Sequence, residues 1–172
     1  VLRSILFPVR RGYSGLMHRL FSFCLALALT GAIWANPVLE MTGSISGQPA
    51  SRVDLLVSSD KNLGTFSILR MSSWGRGRGT QWVEVASDQL QELQRFTQLA
   101  GSGGPLPKKA EILAGDGMLK IVRTPKGEVQ WRYTNFESPT VLGSIVLSRR
   151  QALEAAQQLG KLRDRLAVLA RK

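Results

Sequence analysis

The seven residues from Arg123 to Val129, RTPKGEV, constrain the fold more tightly than any other stretch. A Pro125-Lys126-Gly127 loop of three residues makes a type I turn with Gly127 in the left-handed conformation, and so pairs Thr124 with Glu128. Counting back from that pair, Arg123 faces Val129, Ile121 faces Trp131 and Leu119 faces Tyr133, which makes this side the core. On the other side Val122 meets Gln130, and Lys120 stands directly opposite Arg132. A four-residue loop would set Ile121 against Gln130 and Leu119 against Arg132, mixing apolar and polar faces, so the shorter loop is preferred.

The remaining chain reads as strands with two helices. Val53, Leu55 and Val57 alternate with Asp54 and Ser58, and after the turn SSDKN a mostly apolar run spans Thr65 to Met71, which predicts a hairpin. Gln81 to Ala86 makes a further strand. Asp88 is positioned to cap a helix with Gln91 at its third position, and Leu90, Leu93, Phe96, Thr97 and Ala100 form a stripe ending at Gly101. A linker at about 101–109 follows. Short strands are expected at Glu111–Leu113 and Met118–Arg123 around the Gly115-Asp116-Gly117 turn, then at Glu128–Asn135 and Thr140–Leu147. Ser148 opens a capping box with Gln151 for a helix running to about Ala170. Tight turns forbid parallel crossovers, so the expected class is α+β: an antiparallel sheet with two helices packed on one face. Strands followed by a capped helix occur twice, with a Gln before both Trp82 and Trp131, which points to two related halves.

The first 35 residues read as a leader. From Met17 the sequence MHRLFSFCLALALTGAIWANP supplies a basic start at His18 and Arg19, an apolar run from Leu20 to Leu29, and small residues up to Ala35. Residues 17–35 therefore form the core of a secretory signal peptide, and 36–172 a single mature domain bound for the periplasm or the extracellular space. An uncleaved membrane anchor is the alternative, although sixteen residues fall short of the roughly 20 that a bilayer core requires. The Arg10-Arg11 pair and the acid-free, Arg-bearing start also fit a twin-arginine signal or a transit peptide. Val1 in place of Met leaves the start codon open.

Cleavage after Ala35 would leave 19 Lys and Arg against 12 Asp and Glu, a net charge of +7 against +11 for the whole chain. It would also remove the only cysteine, Cys24, and the only histidine, His18. A mature domain without either cannot build a thiolate nucleophile, a disulfide, a Ser-His-Asp triad or a Cys/His zinc site. Ser58-Ser-Asp-Lys61 matches the Ser-x-x-Lys spacing of some serine acyltransferases, but Asn62 and Gly64 spoil the helix that chemistry requires. The carboxylates are scattered, and Asp116 belongs to a turn. No cofactor, metal or catalytic residue is therefore assigned.

Two surface features remain. WGRGRGTQW, from Trp74 to Trp82, sets Arg76 and Arg78 among three glycines, but a strand rather than a helix follows it. It therefore reads as a basic hairpin tip, not a phosphate loop. The Lys120–Arg132 pair reads either as a solvated face with splayed side chains or as a basic patch, since like charges directly opposed are mildly destabilising. Trp74, Arg76, Arg78, Trp82, Lys120 and Arg132 are the candidate contacts for an anionic partner. In the last helix Ala155, Leu159, Leu162, Leu166 and Leu169 make a heptad-like seam, which serves either the domain's own sheet or a homodimer. The expected function is a non-catalytic binding or structural protein of the envelope or secreted fraction. A nucleic-acid or polyanion-binding module is the alternative.

Overall fold

The computed structural model describes residues 38–48, 50–60, 64–73, 79–137 and 140–171. The first 35 residues, read above as a leader, and Lys61, Trp74, Arg76 and Arg78 lie outside them. The described residues form two antiparallel four-stranded sheets and two helices, an α+β arrangement. The first sheet runs in chain order through β1 (Val38–Gly47), β2 (Ser51–Asp60), β3 (Gly64–Ser73) and β4 (Gly79–Val85), and helix α1 (Ser87–Ser102) follows. The second runs through β5 (Glu111–Ala114), β6 (Gly117–Arg123), β7 (Val129–Asn135) and β8 (Val141–Leu147), before helix α2 (Arg149–Leu169).

The β6–β7 hairpin adopts the predicted register. Leu119 pairs with Tyr133, Ile121 with Trp131, Arg123 with Val129, and Lys120 with Arg132. Gly127 has φ +77°, and its N–H donates to the Thr124 carbonyl at 2.9 Å while Thr124 N–H donates to Glu128 O at 2.8 Å. The Gly115-Asp116 turn likewise joins β5 to β6, with Ala114 paired to Gly117. Gly117 is required by close approach, because a Cβ there would overlap the Thr134 carbonyl oxygen.

β1 is the strand that sequence patterning did not reveal. Its run from Thr42 to Gly47 alternates small residues with one apolar residue, Ile45, and a register shift between Met41 and Gly43 breaks the period of two. Pairing along β2 holds it in place. The break also leaves Gly43 where a Cβ would press on the Gln158 side chain of α2.

The stripe expected on α1 is the buried one: Leu90, Leu93, Phe96, Thr97, Ala100 and Gly101. Its start differs from expectation. Ala86, extended and without a side-chain cap, occupies the N-cap, and Asp88 lies inside the first turn. Val85 and Leu90 must both reach the core, which leaves too few residues for a cap at Asp88. Asp88 still favours the helix start through its negative charge near the positive end of the macrodipole. At the other end Arg123 donates from Nη2 to the carbonyls of Leu99, Ala100 and Gly104, so a cation sits at the negative end. On α2 the capping box forms as predicted. Ser148 Oγ accepts from Gln151 N–H at 3.3 Å, and Gln151 Oε1 accepts from Ser148 N–H at 2.9 Å.

Each helix covers the sheet of the other half. α1 lies against β5, β6 and β7, while α2 lies against β1, β2 and β3 and touches its own half only along β8. The two helices also pack on each other. Gly160 meets Gln94 of α1, and Gly101 faces Ala152 and Leu153. The heptad-like seam on α2 is spent here: Ala155, Leu159, Leu162 and Leu166 are buried in the core, and Leu169 packs against it. A two-residue bridge, Gln48 with Val146, ties the end of β1 to β8. Arg165 forks onto Glu40 at 2.7–3.1 Å and fastens α2 to β1.

The halves match in register as well as in order. Ser67–Val85 and Val129–Leu147 are corresponding end pairs of the third and fourth strands, each one residue short of a helix cap. Two pairs further in, Leu69–Val83 corresponds to Trp131–Ile145. Trp131 is thus the counterpart of Leu69 rather than of Trp82, and the shared Gln-Trp dipeptide is a coincidence of text.

Candidate anion-binding faces

Alternation along each strand sends one set of side chains toward the helices and the other to the opposite, outer face. On the first sheet the inward set includes Leu55, Leu69 and Val83, all fully buried. The outward row beside it reads Ser44, Asp54, Arg70, Trp82 across β1 to β4. Asp54 is only 2% exposed, and two arginines enclose it. Arg70 donates from Nε at 2.9 Å and Nη2 at 2.5 Å to one carboxylate oxygen, and Arg52 donates from Nε to the other at 2.5 Å. The guanidinium carbon of Arg70 also lies 5.4 Å from the centroid of the Trp82 ring, in cation–π range. Trp82 itself is 50% exposed.

Burial works to raise the Asp54 pKa, but hydrogen bonds from Arg70 and then Arg52, with their charges, outweigh it and hold the carboxyl below the usual range. A group with a depressed folded-state pKa stabilises the fold above its unfolded pKa, and that contribution disappears as pH falls through the folded value. Asp54→Asn is therefore expected to lower stability at pH 7 by about 1–2 kcal/mol, the half-exposed arginines tempering the loss. It should also flatten the decline of the melting temperature between pH 5 and pH 2. Parallel acid profiles for the two proteins would show that the clamp contributes nothing.

The second sheet presents a corresponding row: Glu111, Lys120, Arg132, Ser144. Here the residue across from the arginine is a lysine. Lys120 and Arg132 are both exposed. Among the described residues no ion pair reaches either of them, including from Glu111, the register partner of Lys120. Arg132 Nε donates to Gln130 Oε1 at 2.9 Å, and Gln130 Nε2 donates to Ser144 Oγ at 2.9 Å. This chain of bonds holds the guanidinium by its Nε. The neighbouring outward rows are Leu113, Met118, Thr134 and Val122, Gln130, Val146, so these rows carry no aromatic ring; Phe136, just beyond the end of β7, is exposed. Trp131 and Tyr133 point inward and are buried.

Of the six predicted contacts, Lys120 and Arg132 are thus brought side by side, whereas Trp82 stands on the other sheet. Trp74, Arg76 and Arg78 lie outside the described residues. Arg52, Asp54 and Arg70 were not anticipated. Alternation alone sets Asp54 on the outer face, but the turn read at SSDKN does not by itself fix the β2–β3 register, so the sequence could not place Arg70 across from it.

The catalytic alternatives gain no geometry. Ser58 is buried within β2 and does not start a helix, so its spacing to Lys61 is not that of a Ser-Lys pair on one helix face. Tyr133 Oη donates to Asp116 Oδ1 at 2.7 Å. Burial first, and then the bond to and charge of Asp116, push its pKa well above that of a free phenol, which leaves it protonated across the physiological range. A cavity of about 260 Å³ between β1 and α2 is lined by Ser44, Ser46, Gln151, Glu154 and Gln158. Glu154 is paired with Arg150, and the cavity holds no nucleophile with an adjacent base. Among the described residues no three of His, Cys, Asp and Glu gather as metal ligands, and no helix is long and apolar enough to cross a membrane. Neither the protein-family models nor the curated proteins contain a match to the chain.

Proposed function

We propose that this is a non-catalytic binding protein of the exported fraction whose partner is anionic. The observation that carries the reading is the Lys120–Arg132 pair, two exposed cations held opposite each other by backbone register with no carboxylate among the described residues bonded to either. Direct opposition of like charges costs a fraction of a kcal/mol, a cost that an anionic ligand would reverse. A net charge of +7 after removal of the first 35 residues adds long-range attraction for such a partner. Export is supported by the apolar run from Leu20 to Leu29 and the small residues before Asn36. Within the strand rows that hold and flank the pair no aromatic ring faces outward, which favours a partner held by charge over one whose bases stack.

Retention on immobilised heparin, a generic polyanion, provides the test. The wild type is expected to elute at a salt concentration that Lys120→Ala with Arg132→Ala lowers by about two phosphate-equivalents of the salt slope. Arg76→Ala with Arg78→Ala, measured alongside, reports on the hairpin tip. Wild-type protein that passes through at low salt would overturn the anionic partner. Cytoplasmic protein bearing an intact leader on N-terminal sequencing would overturn export.

A further inference from the structure

The corresponding rows of the two halves differ in one decisive residue. Across from Arg70 on the second strand stands Asp54; across from Arg132 stands Lys120. In the first half the carboxylate already lies in the fork of Arg70 and against Arg52, and is all but sealed from water. The protein thereby displays what this row does with a carboxylate: it binds one by charge-assisted hydrogen bonds from two side chains. In the second half the internal carboxylate is replaced by a second cation, and Gln130 and Ser144 hold the arginine by one nitrogen only.

We infer that the two halves carry closed and open versions of one carboxylate site. The open version, Lys120 with Arg132, takes carboxylates of an extended acidic polysaccharide. The inference rests on the anionic-partner reading and narrows it to one surface and one chemistry. Three features favour a uronate polymer. The internal occupant of the equivalent position is itself a carboxylate. The face is nearly free of competing acids, with Glu111 alone in the row and bonded to neither cation. Its partly exposed neighbours, Thr134, Gln130 and Ser144, offer hydroxyl and amide partners for sugar hydroxyls, and the rows around the pair hold no ring for a base.

The test exchanges the two versions. Lys120→Asp places across from Arg132 the residue found across from Arg70, and is expected to close the site. Binding of a defined alginate oligomer, followed by titration calorimetry at low salt, should weaken at least tenfold, while the melting temperature holds or rises. Lys120→Gln, which adds no charge, should weaken binding by a smaller factor and guards against an effect of Asp on folding. Conversely, Asp54→Ser frees Arg52 and Arg70 and should raise the number of bound alginate segments from one to two. Wild-type binding to heparin that none of these changes alters would overturn the site while leaving the anionic-partner reading intact. Absence of binding to any polyanion would overturn both. Tighter binding of single-stranded oligo(dT) than of alginate of equal charge would overturn the polysaccharide.

Discussion

Cut between Gly103 and Gly104, the domain is expected to give two fragments, 36–103 and 104–172, neither of which folds alone, and which regain the native spectrum when mixed. Each fragment retains a complete four-stranded sheet and its own helix, so a modular reading of the repeat would have both fold. The helices are exchanged, however: α1 seals β5–β7 and α2 seals β1–β3. Alone, the first fragment would expose Leu55, Leu69 and Val83 on a bare sheet face, and the second would expose Leu119, Ile121 and Trp131, all buried in the whole domain. At roughly 25 cal/mol per Å² of apolar area, losing the helix layer removes more than the few kcal/mol by which a small domain is stable. A swing of each helix onto its own sheet is the only rescue. The single residue between strand and helix, Ala86 in one half and Ser148 in the other, leaves little chain with which to change direction. Far-ultraviolet circular dichroism of the separate and mixed fragments would decide it, and a cooperative melt from either fragment alone would refute the exchange.

The exchange also marks the boundary of what the sequence made legible. Features closed within a few residues could be read directly. The Pro-Lys-Gly loop set every pair of β6 and β7, including Lys120 with Arg132, because a left-handed Gly127 admits one register. The Ser148–Gln151 box fixed the start of α2 because both partners lie within one turn. The stripe on α1 was visible because its spacing depends only on helical geometry. Relations between distant segments had no such local signature. β1 is held by pairing with β2, not by its own pattern, and a shift at Gly43 erases what alternation it has. The Asp54 clamp depends on the β2–β3 register, which the SSDKN turn does not specify. Which sheet a helix covers depends on packing of the whole chain, since an apolar stripe fits either sheet equally well. The Lys120–Arg132 half of the candidate surface was therefore predictable, and its counterpart at Asp54 was not.

The largest single-residue loss of stability is expected from Trp131→Ala, about 3–5 kcal/mol by urea unfolding monitored by circular dichroism. Trp131 is fully buried at the middle of the second sheet, between Ile121 and Ile145 on the strands either side, on the face that α1 covers. No other position in the second half puts so large a side chain at the contact where the exchanged helix seals its sheet, so the void would open where neither layer can close it without moving the other. The partner substitution Trp131→Phe separates volume from polarity. Among the described residues no acceptor lies within hydrogen-bond distance of the buried indole Nε1, and an orphaned buried donor costs about 1–3 kcal/mol. Phe removes that donor along with part of the ring, so its loss from reduced packing is partly offset and should come to less than half that of Ala. A loss for Phe as large as that for Ala would overturn the offset from the removed donor, and a loss below about 1 kcal/mol for Ala would mean that the second sheet is not sealed by α1 at this point.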